Sequence, residues 1–191
     1  MATVREGNKP VLLIVDVQIG LVRGTWDAAR IVKNVSLAVE RARAAHVPVL
    51  WVQHADHDLP LGNPEWNLVP ELVPAAGEAL IHKRFESSFE ETSLEKELAT
   101  RAATHIVLAG TSTNWCIRAT AYGAIERGYD LTLLKDAHTT RPIELDNGLV
   151  IDAANMVRDL NVAMTWLNYP GRKNGTATAE AVNFAVPGGT R

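Results

Sequence analysis

A chain of 191 residues with 47% hydrophobic and 21% charged residues suits one globular domain, long enough to bury roughly 70% of the surface its unfolded form exposes. A net charge of −3 offers no basic face, which argues against nucleic acid as a partner, and no apolar run approaches the length of a membrane span. One cysteine cannot form an internal disulfide, and the N-terminus lacks the apolar core of a signal peptide, so a cytoplasmic protein is expected.

Short runs rich in Val, Ile and Leu alternate with longer segments of helical period. Residues 10–15 are unbroken in apolarity and are followed by Asp16, which predicts a central strand covered on both faces. Ile31, Val35, Ala38, Val39, Ala42 and Ala45 recur at three and four and predict an amphipathic helix. Residues 47–53 read as a second strand, with Pro48 near its start, where a missing donor is tolerated. Residues 58–78 carry Pro60, Pro64, Pro70, Pro74, Gly62 and Gly77 and read as one long loop, of the kind that is usually functional or disordered.

Residues 79–82 form a third expected strand, ending at Lys83. Leu94 and Leu98 mark a helix capped near Thr92 or Ser93, with Glu95 in its first turn. A fourth strand at 105–109 leads into the turn 110–116 and an Ala-rich helix that stops at Gly128. Residues 129–134 read as a fifth strand. Leu145, Leu149, Ala153 and Met156 read as one face of a helix, and residues 162–166 as the sixth and last strand. Beyond Pro170, Gly, Thr, Asn and Pro dominate, so residues 170–191 are expected as a loose tail outside a domain of residues 1–169.

This alternation implies an α/β fold: a doubly wound, three-layer αβα, Rossmann-like arrangement of about six mainly parallel strands with right-handed crossovers. In such sheets ligands bind beyond the carboxyl ends of the strands, where strand order reverses. Asp16, Lys83 and Cys116 all fall on that edge. In the order 3-2-1-4-5-6, Asp16 and Cys116 flank the crevice. A cysteine opening a helix lies at the positive end of the helix dipole beside unpaired N–H groups, which favours the thiolate and offers donors to an oxyanion. Each residue alone has an ordinary reading. A lone cysteine is often a small buried apolar group, a strand-end Asp a cap, and a lysine a solvated charge. Their joint placement is what points to chemistry.

Four stretches carry a resemblance: Leu13-Ile-Val-Asp16-Val-Gln18, the lysine in His82-Lys83-Arg84-Phe85, Gly110-x-x-Thr113-x-x-Cys116, and Asp136-Ala137. In their order and spacing, over roughly residues 10 to 167, the chain resembles the isochorismatase-like cysteine hydrolases, a group that includes nicotinamidases, N-carbamoylsarcosine amidases and ureidoacrylate amidases. The resemblance implies a catalytic triad of Asp16, Lys83 and Cys116 and a cis peptide at Thr111-Ser112. It implies hydrolysis of the C–N bond of a small amide, carbamoyl compound or lactam through a thioester, without a cofactor. The backbone N–H groups of Ser112 and Cys116 are the expected oxyanion hole. Gln18 is a candidate for orienting a substrate amide, and Ile19, His54, Trp66, Phe85, Trp115 and His138 for lining the pocket. The family further implies a homodimer or homotetramer, with Val182, Phe184 and Val186 of the tail available to dock on a partner subunit.

Nicotinamidases of the group bind a metal through an Asp-x-His pair and a second downstream histidine. Here the loop reads Gln53-His54-Ala55-Asp56-His57-Asp58, with no histidine between His57 and His82, so no bound metal is expected. A metal-assisted nicotinamidase is the alternative within the class. Isochorismate vinyl-ether hydrolysis is more distant, since the cysteine is retained. Outside the class stands a non-catalytic small-molecule-binding or redox-sensing protein in which Cys116 is modified rather than turned over. No Gly-x-Gly-x-x-Gly follows the first strand, which disfavours dinucleotide binding.

Overall fold

The computed structural model describes residue 5 and residues 9–184. In chain order the elements are β1 (Lys9–Val15), the single turn α1 (Ile19–Val22), α2 (Ala28–Ala44), β2 (Val49–His54), β3 (Ala79–Lys83), α3 (Leu94–Thr100), β4 (Ala103–Thr111), α4 (Arg118–Glu126), β5 (Asp130–Thr139), β6 (Ile143–Glu144), β7 (Val150–Ile151), α5 (Ala153–Trp166) and β8 (Asn174–Ala177). Six strands form one sheet in the order β3-β2-β1-β4-β5-β8. Every neighbouring pair in it is parallel. The order reverses between β1 and β4, and that junction positions the site.

Side-chain alternation along β1 builds two cores. Leu12 and Ile14 face Ile31, Val35, Ala38, Val39 and Ala42 of α2, the stripe expected from their spacing. Val11, Leu13 and Val15 face the other way, onto Leu94 and Leu98 of α3, Ala121, Ala124 and Ile125 of α4, and Leu160 and Met164 of α5. Each such leucine or isoleucine contributes about 1.5–3 kcal/mol by leaving water. A strand buried on both faces has no polar positions to show, which is why residues 10–15 read as a continuous apolar run.

The region after β5 differs from expectation in three ways. Leu145 and Leu149 are not helical: the Leu145 N–H donates to the Leu149 carbonyl (2.8 Å), and both lie in the hairpin loop joining β6 to β7, closed by Asn147 and Gly148. The helix starts at Ala153, where the Asp152 side chain accepts from the Asn155 N–H. Residues 162–166 are the last turns of that helix rather than a strand. Val162 and Trp166 point outward, whereas Leu160 and Met164, four apart, are the buried face.

The third correction concerns the sixth strand, which is β8, inside the segment expected as a loose tail. Its sequence, Asn-Gly-Thr-Ala, carries no apolar signal, because its place is set by backbone pairing with β5 at a half-buried sheet edge. Ala179, Val182 and Phe184 then pack into the α2 core of their own chain instead of waiting for a partner subunit. The Asp136 side chain anchors this return by accepting from the Ala179 N–H (2.8 Å), and Arg41 donates to the Val182 carbonyl (3.0 Å). Val186 lies outside the described residues. Among the described residues no helix is long and apolar enough to cross a membrane.

Where β4 approaches β1, only glycine fits. Gly110 has φ +133°, and a Cβ there would sit 1.9 Å from the Val15 carbonyl oxygen. Gly110→Ala is therefore expected to destabilise the fold by more than about 3 kcal/mol. Thermal unfolding of the purified variant, or its absence from the soluble fraction, is the readout; a variant as stable as the parent contradicts this packing.

Candidate active site

Asp16 is the first residue beyond β1. Its backbone is left-handed (φ +56°), a conformation that Asp tolerates better than most residues. Its N–H donates to the Val52 carbonyl (2.9 Å), and its own carbonyl accepts from Thr111 Oγ1 (3.0 Å), so both neighbouring strands hold it. The side chain is fully buried, and Lys83, the last residue of β3, is 2% exposed. Cys116 lies in a wide turn, Thr113–Ile117, that precedes α4. The Ser112 carbonyl accepts from the Trp115 and Ile117 N–H groups (both 3.1 Å), and the second of these bonds spans five residues. Such π-type turns recur at functional sites. The Cys116 N–H lies between that pair of donors and is not part of it. The Thr111–Ser112 peptide is cis.

The Lys83 ammonium is the hub. It lies 2.7 Å from Asp16 Oδ2 and donates to Cys116 Sγ (3.2 Å) and the Phe85 carbonyl (3.1 Å), with His54 Nδ1 at 3.2 Å. Among the described residues, neither carboxylate oxygen of Asp16 finds a hydrogen-bond donor apart from Lys83 and the neighbouring thiol. Burial raises the Asp16 pKa above the usual carboxylate value, against the opposing pull of Lys83. Burial lowers that of Lys83, but the charges of Asp16 and Cys116 outweigh it and the net shift is upward. The Cys116 thiol is pushed up to about 12, first by burial and then by the Asp16 charge, with Lys83 opposing. The expectation of a thiolate favoured by the helix end is thus corrected. Desolvation and a carboxylate in contact outweigh the dipole, and the resting sulfur keeps its proton.

A cavity of about 320 Å³ opens onto the sulfur, lined by Leu21, His54, Asp56, Glu86, Ser112, Trp115 and Cys116. Of the residues expected in the pocket, His54 and Trp115 line it, with Trp115 largely exposed at its edge. The others are elsewhere. Gln18 is fully buried: its Nε2 donates to the carbonyls of Trp66 (2.7 Å) and His54 (3.0 Å), and its Oε1 accepts from the His54 N–H (2.8 Å), so it ties the end of β2 to the long loop. Trp66 packs edge-on to His82. Ile19 lines a separate apolar groove of about 840 Å³ along α2. Phe85 lines a third cavity, and its carbonyl rather than its ring meets Lys83.

His138 is also not a wall. It is fully buried, with Nδ1 2.8 Å from Thr113 Oγ1 and Nε2 3.0 Å from Asn161 Oδ1, and so pins the cysteine turn to α5. Burial lowers its pKa to about 4, and it stays neutral near pH 7. Three wall residues were missed from the sequence: Leu21, Asp56 and Glu86. Asp56 sits two residues past a strand that ends on the ligand edge, a placement that does carry a signal; Glu86, in a loop, carries none.

Among the described residues no three or more His, Cys, Asp or Glu side chains are grouped to hold a metal ion. His54 turns its Nδ1 to Lys83 and its Nε2 to Asp56, and His57 is exposed and stands apart from them. The donor set therefore does not fit the metal of a nicotinamidase.

Residues 10–166 match the model of the isochorismatase domain. Over 158 residues the chain is 31% identical to a secreted isochorismatase effector of Verticillium dahliae, covering 78% of this chain and 79% of that protein. It is 30% identical to a maleamate amidohydrolase of Pseudomonas putida over 155 residues, 68% of this chain and 72% of the relative. In structure it resembles a cysteine hydrolase from Pseudomonas syringae pv. phaseolicola, with a TM-score of 0.82 over 90% of this chain and 89% of that one, at 21% identity. A parallel sheet in this order, a buried Asp-Lys pair against a cysteine at its switch point, and a domain match over most of the length lead to one conclusion: the chain belongs to the isochorismatase-like cysteine hydrolase family.

Proposed function

We propose that the protein is a cysteine-dependent amidohydrolase that cleaves the C–N bond of a small amide through a thioester on Cys116. One observation carries this reading: a buried ammonium sits 2.7 Å from a carboxylate and 3.2 Å from a thiol that opens onto a cavity. The amidohydrolase among its relatives supports the choice of bond.

The chemistry follows from the protonation states. Sγ attacks the amide carbonyl carbon as its proton passes to Asp16, and the oxyanion that forms meets the backbone N–H groups of Ser112 and Cys116. The C–N bond breaks as Asp16 returns that proton to the departing nitrogen, leaving a thioester. Asp16 then takes a proton from water, whose oxygen displaces the sulfur, and the acid product leaves with the thiol restored. Lys83 keeps Asp16 ionised for the first transfer and stands beside the sulfur while it is negatively charged.

The cavity wall sets the charge of the substrate. Asp56 and Glu86 line it, and among the described residues no lysine or arginine does. After metals are stripped with a chelator, ammonia release is expected from neutral or cationic amides, with amides carrying a carboxylate beside the scissile bond at least about tenfold less efficient. Glu86→Gln is expected to narrow that gap. A panel of nicotinamide, carbamoyl amino acids, a ureide, biuret and aminoacyl amides tests both statements. Silence across the panel overturns the amidase, whereas a preference for the anionic amides overturns only the charge argument.

A further inference from the structure

The Lys83 ammonium has three protons and four neighbours able to accept them: Asp16 Oδ2, the Phe85 carbonyl, Cys116 Sγ and His54 Nδ1. A ring nitrogen accepts only through a lone pair, and the Asp56 carboxylate beside Nε2 favours the tautomer that carries its proton there and leaves the lone pair on Nδ1, facing the ammonium. That nitrogen is 3.0 Å from Asp56 Oδ2. Asp56 is itself held rigidly, since its other oxygen accepts from the N–H groups of Asp58 (2.9 Å) and Leu59 (2.7 Å). The backbone of His54 is fixed as well, both its N–H and its carbonyl being bonded to the buried Gln18 amide. A doubly protonated His54 would turn an N–H at the ammonium and place two cations 3.2 Å apart.

We infer that His54 is a positioning residue for Lys83: Asp56 fixes the imidazole as the Nε2–H tautomer, and the free Nδ1 lone pair holds the ammonium between Asp16 and Cys116. Its importance for turnover rests on the function proposed above; its tautomer does not. The chain Asp56–His54–Lys83 orients by hydrogen bonds alone and transfers no proton. Carboxylates that orient an imidazole in this way are familiar in metal sites, where their removal costs about 10–100-fold; here the held group is an ammonium.

Asp56→Asn is the informative variant. Because Oδ1 is claimed by two backbone donors, the new amide NH2 takes the place of Oδ2 and points a donor at Nε2. The imidazole must then carry its proton on Nδ1, facing the ammonium. Long-range 1H–15N NMR spectra are expected to show the Nε2–H tautomer in the parent and the Nδ1–H tautomer in Asp56→Asn. Iodoacetamide labelling of Cys116 at fixed pH, and kcat on the best amide of the panel, are expected to fall together by at least about tenfold in Asp56→Asn and His54→Ala. For a neutral amide, whose binding the wall charges affect least, KM stays within about threefold in Asp56→Asn. His54→Asn places an oxygen near the Nδ1 position and should recover much of the His54→Ala loss, which a purely structural role would not allow. An Nδ1–H tautomer in the parent overturns the inference, as does an Asp56→Asn variant that labels and turns over like the parent. A parent that shows the expected tautomer and labelling but hydrolyses no amide leaves the positioning intact and sinks the amidase reading instead.

Discussion

Cys116→Ala is expected to lower kcat/KM for amide hydrolysis by about 10⁵-fold or more, because the proposed route puts the acyl group on its sulfur. Loss of the sulfur removes both chemical steps at once, so the residual rate reports only what binding and the backbone N–H groups do for direct attack by water. The side chain is small and partly exposed, so the fold should survive with a change in stability of at most about 1–2 kcal/mol. Substrate binding should persist, and isothermal titration with the best amide separates lost chemistry from lost binding. A variant that keeps even a few per cent of the parent's activity cannot be reconciled with a nucleophilic sulfur.

Lys83→Met is expected to damage stability and activity together. The substitution keeps the length of the side chain but leaves the Asp16 carboxylate in a fully buried site without its paired ammonium. Breaking one side of a buried ion pair costs about 3–5 kcal/mol, and Asp16 escapes part of that cost by taking up a proton. A protonated Asp16 cannot accept the thiol proton, so turnover falls by about 10²–10⁴-fold. The double variant Asp16→Asn/Lys83→Met carries no buried charge at this position and should recover much of the lost stability without recovering activity. Denaturant unfolding of the two singles and the double gives the coupling directly. Additive stabilities would mean that the 2.7 Å contact contributes nothing.

Asp16, Lys83 and Cys116 were legible because Asp16 and Lys83 lie at the carboxyl ends of strands and Cys116 in the turn that follows one, each strand's apolar run is plain, and strand order brings such ends together. The sheet was legible in its first five strands for the same reason. β8 was not, since an edge strand built on backbone pairing needs no apolar pattern, and the apolar residues at 162–166 looked like the missing strand while belonging to α5. The neutral state of the thiol was out of reach as well. Spacing reveals a helix end, but only packing reveals that the sulfur is desolvated beside a carboxylate. Gln18 and His138, expected to meet the substrate, instead satisfy backbone or side-chain groups deep in the fold. His54 was placed in the pocket wall, and its second contact, with the ammonium, depends on side-chain direction, which a sequence pattern does not record.

The proposed hydrolysis passes through a covalent bond to Cys116. Acid-quenched samples of the protein with excess amide, taken on the millisecond scale and measured by intact mass spectrometry and peptide mapping, test it directly. An adduct equal to the substrate less its amine is expected, confined to the Cys116 peptide, formed no more slowly than ammonia appears, and absent in Cys116→Ala. Continued ammonia release from Cys116→Ala, or an adduct on any other residue, would contradict it.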